Sequence, residues 1–72
     1  MLAACPPTGS RFRHYKGAVY EVVGCCLLEA TRAPCVLYRP AGSDLTWCRP
    51  LADWQQEVEV GGDRVPRFQR IL

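Results

Sequence analysis

Cations and aromatic residues stand together in three short segments of this chain. The segments read Arg13-His14-Tyr15-Lys16-Gly17, Trp47-Cys48-Arg49-Pro50-Leu51 and Val65-Pro66-Arg67-Phe68. Guanidinium and ammonium groups bind phosphates and carboxylates, and aromatic rings beside them stack on bases or form grooves for extended peptides. We therefore predict a ligand-binding surface made of Arg13, His14, Tyr15, Lys16, Arg49 and Arg67.

Two classes of partner fit such a surface. One is nucleic acid or another phosphate-bearing ligand, which small basic barrels with exposed aromatic rings bind. The other is a protein bound at an edge strand or in an aromatic groove. The net charge of +2, from nine Lys and Arg against seven Asp and Glu, is too small to decide between them. Both interpretations stay open, for a monomer or a small homo-oligomer.

The sequence predicts a binding protein rather than an enzyme. It contains no evident pair of catalytic carboxylates, metal-ligand motif or Gly-rich phosphate loop. His14 stands among Arg13, Tyr15 and Lys16, and neighbouring cations lower the pKa of an imidazole and keep it neutral near pH 7. We predict no catalytic residue and no cofactor.

The five cysteines are odd in number, and Cys25 and Cys26 are adjacent. No two of them form a C-x-x-C pair, and the sequence has one histidine, so the spacing predicts neither a disulfide framework nor a metal site. We expect five reduced thiols in a cytoplasmic protein. A span of about eighteen apolar residues, which a membrane helix needs, is absent from the sequence, and its first four residues are too short for a signal sequence.

Strand-forming and turn-forming residues alternate along the chain. Pro6 and Pro7 fall in residues 1–10, which we predict to be a flexible N-terminal arm before a single domain over residues 11–72. Gly24 lies within a long β-branched segment and predicts a bulge or bend. The predicted elements are strands over 18–28, 35–39 and 45–49, one helical turn over 51–56, and a hairpin of 57–60 with 64–68. This pattern predicts an all-β fold, a small SH3-like or rolled β-barrel of four to five short strands with one short helical turn.

Aromatic side chains supply most of the predicted core. We expect Tyr20, Tyr38 and Trp47 to be buried, and Tyr15 to be exposed because it stands in a cationic segment. Arg39 and Arg49 both precede prolines at strand ends. Each is predicted to pair with Glu21, Glu57 or Asp53, or to stack on Trp47 or Tyr38.

Five segments together resemble a bacterial family called domain of unknown function 1653. They are Phe12-Arg13-His14-Tyr15-Lys16-Gly17, Tyr20-Glu21-Val22, Tyr38-Arg39, Trp47-Cys48-Arg49-Pro50-Leu51 and Pro66-Arg67-Phe68-Gln69-Arg70-Ile71. The resemblance covers residues 9–71 and implies no catalytic residue and no particular partner. Two features depart from the family pattern, the Cys25-Cys26 pair and a loop over 29–34 that carries Pro34.

Overall fold

The computed structural model describes residues 4–72, which form two antiparallel sheets and one helical turn. The large sheet has the strand order β4-β3-β2-β1-β7, and β5 pairs with β6 in a separate hairpin. Helix α1 connects β4 to β5. The all-β prediction is confirmed. The strands are β1 (Arg11–His14), β2 (Val19–Leu27), β3 (Pro34–Pro40), β4 (Trp47–Pro50), β5 (Glu57–Val60), β6 (Asp63–Pro66) and β7 (Phe68–Arg70), and α1 is Leu51–Trp54.

The sheets do not close into a barrel within the described residues. β4 and β7 are the two edges of the large sheet. Two strands, β1 and β7, were not predicted from the sequence. The sequence pattern did not distinguish β1 from a loop or β7 from the predicted hairpin. Phe12 of β1 lies opposite Tyr20 on one side and Arg70 on the other. Because Arg70 is distant in sequence, local composition did not reveal that β1 lies between β2 and β7.

The predicted irregularity at Gly24 is confirmed and determines which way the cysteines point. The pairing of β2 with β3 shifts register between Val22 and Gly24, as a β-bulge does. Side chains alternate across a strand, so Cys25 shares a face with Val36, and Cys26 shares the other face with Cys35. We call the face of Val22 and Val36 the inner face and that of Cys26 and Cys35 the outer face.

The core lies between the inner face, α1 and the start of β7. Trp54 stacks on Phe68 with ring centroids 3.9 Å apart and planes 6° apart. Its edges also meet Phe12 and Tyr38 at 5.2 and 4.9 Å. Burial of large aromatic rings provides most of the apolar area that stabilises a domain of this size. The buried cluster is Val22, Val36, Tyr38, Leu51, Trp54 and Phe68.

The prediction that Trp47 belongs to the core is wrong. Its side chain is 49% exposed, whereas Trp54 is 4% exposed. Trp47 lies opposite Tyr38 in the edge strand β4, and the inner face next to it is covered by Trp54 from α1. Tyr38 is buried as predicted, Tyr20 is half-buried against the cluster, and Tyr15 is exposed as predicted.

Helix α1 is the single turn that the sequence predicts. The Gln55 N–H donates to the Leu51 carbonyl at 3.0 Å and ends it. Leu51 and Trp54, three residues apart, both point into the core. Among residues 4–72 no helix has the length and apolar character to cross a membrane.

The predicted hairpin of β5 and β6 is confirmed. Val60 pairs with Asp63, and a two-residue turn of Gly61 and Gly62 joins them. Both glycines have positive φ, 58° and 90°, which the common two-residue hairpin turn requires and which glycine adopts without strain.

The N-terminal segment contacts the large sheet, and one of its cysteines forms a disulfide. Residues 1–3 of the predicted arm lie outside the described residues. The Gly9 N–H donates to the Val22 carbonyl at 2.8 Å, and Ser10 is buried. Cys5 forms a disulfide with Cys25, so the prediction of five reduced thiols is wrong for these two. The two cysteines are 20 residues apart in sequence. The sequence did not predict their contact because it depends on the path of the chain along β2.

Candidate ligand-binding face

The turn between β1 and β2 holds His14 and Lys16 in fixed positions. The Gly17 N–H donates to the His14 carbonyl at 2.7 Å, and Gly17 has a φ of 110° that favours glycine. The Lys16 N–H donates to His14 Nδ1 at 3.2 Å. Nδ1 is therefore an acceptor, and the neutral imidazole carries its proton on Nε2.

Arg49 is held at the rim of the core by three different groups. Its Nε donates to the Tyr38 hydroxyl at 3.2 Å, and its Nη1 donates to Asp53 Oδ2 at 2.6 Å. Its guanidinium carbon lies 5.3 Å from the Phe68 ring centroid. The predicted pairing with Asp53 is confirmed, and Arg39 likewise pairs with Glu21 at 2.9 Å on the outer face. The hydrogen bond that Arg49 donates to the Tyr38 hydroxyl contributes most to raising the pKa of Arg49, which therefore stays charged.

Arg67 occupies the bend between β6 and β7. Its N–H donates to the Gln56 carbonyl at 2.9 Å, and its carbonyl accepts from the Tyr15 N–H at 3.0 Å. Its Nη2 donates to Gln56 Oε1 at 3.3 Å. Its Nε is buried without a hydrogen-bond acceptor among the described residues.

Positive charge is concentrated around His14. Burial, followed by the charges of Arg49, Lys16 and Arg67, lowers the pKa of His14. His14 is therefore neutral at pH 7. Lys16 and Arg67 form no salt bridge with an acid in residues 4–72. These two cations are free to attract an anionic ligand, which Arg49, already paired with Asp53, does less strongly.

Aromatic rings connect these cations into one surface. The His14 ring lies 4.5 Å from Tyr15 and 5.0 Å from Phe68. Next to Phe68, a shallow depression of about 220 Å³ is lined by Tyr20, Tyr38, Trp47 and Arg49. We call the exposed part of this surface the aromatic-cationic face, which consists of His14, Tyr15, Lys16, Trp47, Arg49 and Arg67.

The sequence profile of the family described as "Protein of unknown function (DUF1653)" matches residues 10–70. The chain belongs to this family. Its structure is similar to the crystal structure of a DUF1653 protein from Bordetella bronchiseptica, with 26% sequence identity and a TM-score of 0.80 over 99% of this chain and 92% of that one. Comparison with curated proteins gives no match. The resemblance seen in the sequence is confirmed.

Five of the six predicted site residues meet on one surface of this DUF1653 domain, and Arg13 does not. Alternation along β1 directs Phe12 and His14 toward the core and Arg13 away from it. Arg13 lines a groove of about 480 Å³ with Val60, Val65 and Ile71, and His14 and Tyr15 of the aromatic-cationic face also line this groove. Arg13 therefore adjoins the face at the groove, although its side chain points to the other side of β1 from His14.

Trp47 is the residue of the face that sequence reasoning missed. The signal was present in its spacing, since Trp47 and Arg49 are two apart in a strand and must share a side. Trp47 therefore lies beside a charged guanidinium in an edge strand, which favours exposure of its ring more than apolar neighbours would. The interval from Leu51 to Trp54 similarly indicated which tryptophan the helical turn buries.

A second cluster lies on the outer face and consists of thiols. The sulfur atoms of Cys26, Cys35 and Cys48 all lie within 4.8 Å of one another, and none of the three is in a disulfide. Burial, with the neighbouring Cys35 and Cys26 thiols, raises the pKa of Cys48 to about 11. Cys48 is therefore a neutral thiol at pH 7. Spacing along the sequence did not predict this cluster because its members come from three strands.

Proposed function

We propose that this DUF1653 domain is a binding module for single-stranded nucleic acid and that the aromatic-cationic face is its binding surface. The observation that carries the proposal is the exposed ring of Trp47 beside Arg49, on the same surface as the unpaired charges of Lys16 and Arg67. The exposed Trp47 ring offers a flat surface for stacking beside a guanidinium, and a ligand with flat, polyanionic units gives both features a partner.

The cationic and the aromatic side chains bind different parts of the ligand. Lys16 and Arg67 pair with backbone phosphates, and each neutralised phosphate releases counterions, which makes binding depend on salt. Tyr15 and Trp47, which are 39% and 49% exposed, offer ring faces to bases. Stacking of this kind contributes about 1–3 kcal/mol per base and tolerates any sequence. Binding is thus expected to be weak, dependent on salt and little dependent on sequence.

The rest of the domain supports a binding role rather than a catalytic one. Arg49, which lines the aromatic depression, is held by Tyr38 and Asp53, which suits a rigid recognition surface. We propose that the bent sheet acts as SH3-like and rolled-barrel modules do, with ligands bound by turns and edge strands. We also propose a monomer or small homo-oligomer in the cytoplasm. Because Cys5 and Cys25 form a disulfide, the expectation of five reduced thiols no longer supports a cytoplasmic location.

Fluorescence anisotropy with a short labelled single-stranded oligonucleotide, at two salt concentrations, tests the proposal. Trp47→Ala should remove about 1–3 kcal/mol of binding free energy, and Lys16→Gln should flatten the salt dependence by about one unit. Leu45→Ala removes an exposed apolar side chain without a ring, and Arg64→Gln removes a cation of the β5–β6 hairpin. If both controls weaken binding as much as the face variants do, the assignment to this face is wrong.

A protein partner is the second candidate, and a specific groove favours it. Val60, Val65 and Ile71 line this groove with Arg13, and Val60 and Ile71 are 47% and 39% exposed. The groove borders the aromatic-cationic face, because His14 and Tyr15 also line it. The outer edge of the neighbouring strand β7 is unpaired among the described residues, and an extended peptide can add to such an edge. If the folded protein binds no oligonucleotide at low salt, the proposal moves to this groove.

A further inference from the structure

Three neighbouring strands each contribute one thiol to the same spot on the outer face. Cys26 in β2 lies directly opposite Cys35 in β3. Cys48 in β4 lies opposite Leu37, one step along the same face from Cys35. The positions are therefore determined by sheet register, which is rigid, rather than by a mobile loop.

The distances suit a metal ion bound by three sulfur ligands. A zinc–sulfur bond is about 2.3 Å long, and three sulfurs at that distance around one ion stand about 4 Å apart. The three sulfurs already lie within 4.8 Å of one another, so small rotations of the side chains bring them into position. Cys35 is buried, Cys26 is half-buried and Cys48 is exposed, which leaves the side next to Cys48 open to solvent.

We propose that Cys26, Cys35 and Cys48 form a Zn²⁺ site with three thiolate ligands and a fourth position occupied by water. An all-sulfur donor set selects thiophilic ions over Mg²⁺ or Ca²⁺. When the ion binds, each thiol transfers its proton to solvent and forms one metal–sulfur bond, so that three protons leave per ion. No electron is transferred, and no oxidant is needed. The site lies on the face opposite the core and is independent of the proposed nucleic-acid surface.

Titration of the full chain with Co²⁺ under anaerobic conditions, without reductant, tests this site. The Cys5–Cys25 disulfide removes two cysteines from competition, so a thiol assay should count three reactive groups after unfolding. We expect thiolate-to-cobalt charge-transfer absorption that saturates at one equivalent and that Zn²⁺ abolishes. Proton release, measured in weak buffer, should approach three per ion. Saturation at a fraction of an equivalent, or the absence of this absorption, overturns the proposal.

Cys48→Ser and Cys26→Ser separate the site from metal binding elsewhere. Cys48 is exposed, so this variant is expected to fold, and it should lose more than about 100-fold in Zn²⁺ affinity, beyond the 10–100-fold typical for an outer-shell group. Zn²⁺ should raise the urea midpoint of the parent but not of either variant, because binding to the native state stabilises it. His14→Gln is the matched control, since it removes the sole imidazole, and it should bind Zn²⁺ like the parent. Unchanged affinity in Cys48→Ser, or a native Cys26–Cys35 disulfide found by mass spectrometry, overturns the proposal.

Discussion

Trp54 and Trp47 stand on the same side of the large sheet and in opposite environments. Trp54 is 4% exposed and lies flat on Phe68, with Phe12 and Tyr38 against its edges. Trp47 is 49% exposed and borders a shallow depression next to Arg49. The inner face thus has a closed region covered by α1 and an open region that α1 does not reach. In a domain this small the helical turn covers one part of the sheet, and the remaining part is available for binding.

Arg49 marks the boundary between these regions. Its guanidinium contacts the buried Tyr38 hydroxyl and the Phe68 ring on one side, and Asp53 on the other. The same side chain therefore closes the polar edge of the core and contributes a cation to the aromatic-cationic face. The comparison predicts that variants in the closed region change stability, whereas variants in the open region change binding.

The largest expected effect is that of Trp54→Ala. Truncation of a large aromatic side chain in the core costs about 3–5 kcal/mol of the free energy of unfolding, which is close to the total reserve of a domain of this size. Trp47→Ala should cost about 1 kcal/mol or less because its ring is half in water. Urea unfolding followed by circular dichroism measures both. Equal losses would contradict the division of the inner face into two regions.

Reduction of the Cys5–Cys25 disulfide should have the next largest effect, again in the closed region. Cys5 packs against the buried cluster, and the disulfide closes a loop with a sequence separation of 20. Loss of a cross-link of this length costs about 3 kcal/mol in the chain-entropy description. The test compares urea midpoints of Cys5→Ser and of the parent without reductant. Cys48→Ser serves as the control in metal-free buffer, and an equal shift in it would show that any cysteine change destabilises the sheet.

Asp53→Asn should separate stability from binding at the boundary itself. The Arg49–Asp53 pair is partly exposed, so its loss should cost less than about 1 kcal/mol of stability. Removal of the carboxylate leaves the charge of Arg49 uncompensated, so oligonucleotide affinity should rise at low salt. Glu57→Gln is the matched control, because it breaks the Arg64 pair on the β5–β6 hairpin. A gain of the same size in both variants would mean that only net charge matters.

The sequence predicted those parts of the structure that local patterns determine. The Gly24 bulge, the Gly61-Gly62 hairpin, the single turn of α1 and the Arg49–Asp53 pair each depend on residues close in sequence or on one strand end. The errors concern long-range contacts. The environment of Trp47, the pairing of Cys5 with Cys25, and the pairing of β1 with β7 all depend on which distant segments meet.

The candidate site shows the same limit. Five predicted residues converge around Phe68, although β4 and β7 are opposite edges of the sheet. The His14 ring and the Arg49 guanidinium both lie against Phe68, and the Tyr15 N–H donates to the Arg67 carbonyl. Arg13 points to the other side of β1 because a one-residue step along a strand reverses the direction of the side chain, and it meets His14 and Tyr15 at the groove that Val60, Val65 and Ile71 also line. The thiol cluster could not be predicted because sheet register, rather than spacing, brings its members together.

The smallest predicted effect is the pH dependence that His14 contributes to folding. Burial and the charges of Arg49, Lys16 and Arg67 lower its folded-state pKa below the ordinary value of 6.5. Below pH 6.5 the unfolded chain therefore binds a proton at His14 more readily than the folded protein does. The contribution of His14 to the free energy of unfolding falls as the pH falls through the folded-state pKa. His14→Gln keeps an acceptor for the Lys16 N–H and removes the titration. The difference in unfolding free energy between parent and variant, measured by urea unfolding between pH 7.5 and 5, should change with pH. A constant difference would show that His14 is not in the cationic environment described above.

The same residue should have the opposite effect on oligonucleotide binding. A phosphate near the imidazole favours its protonated form, so the oligonucleotide affinity of the parent should increase relative to that of the variant as the pH falls over the same range.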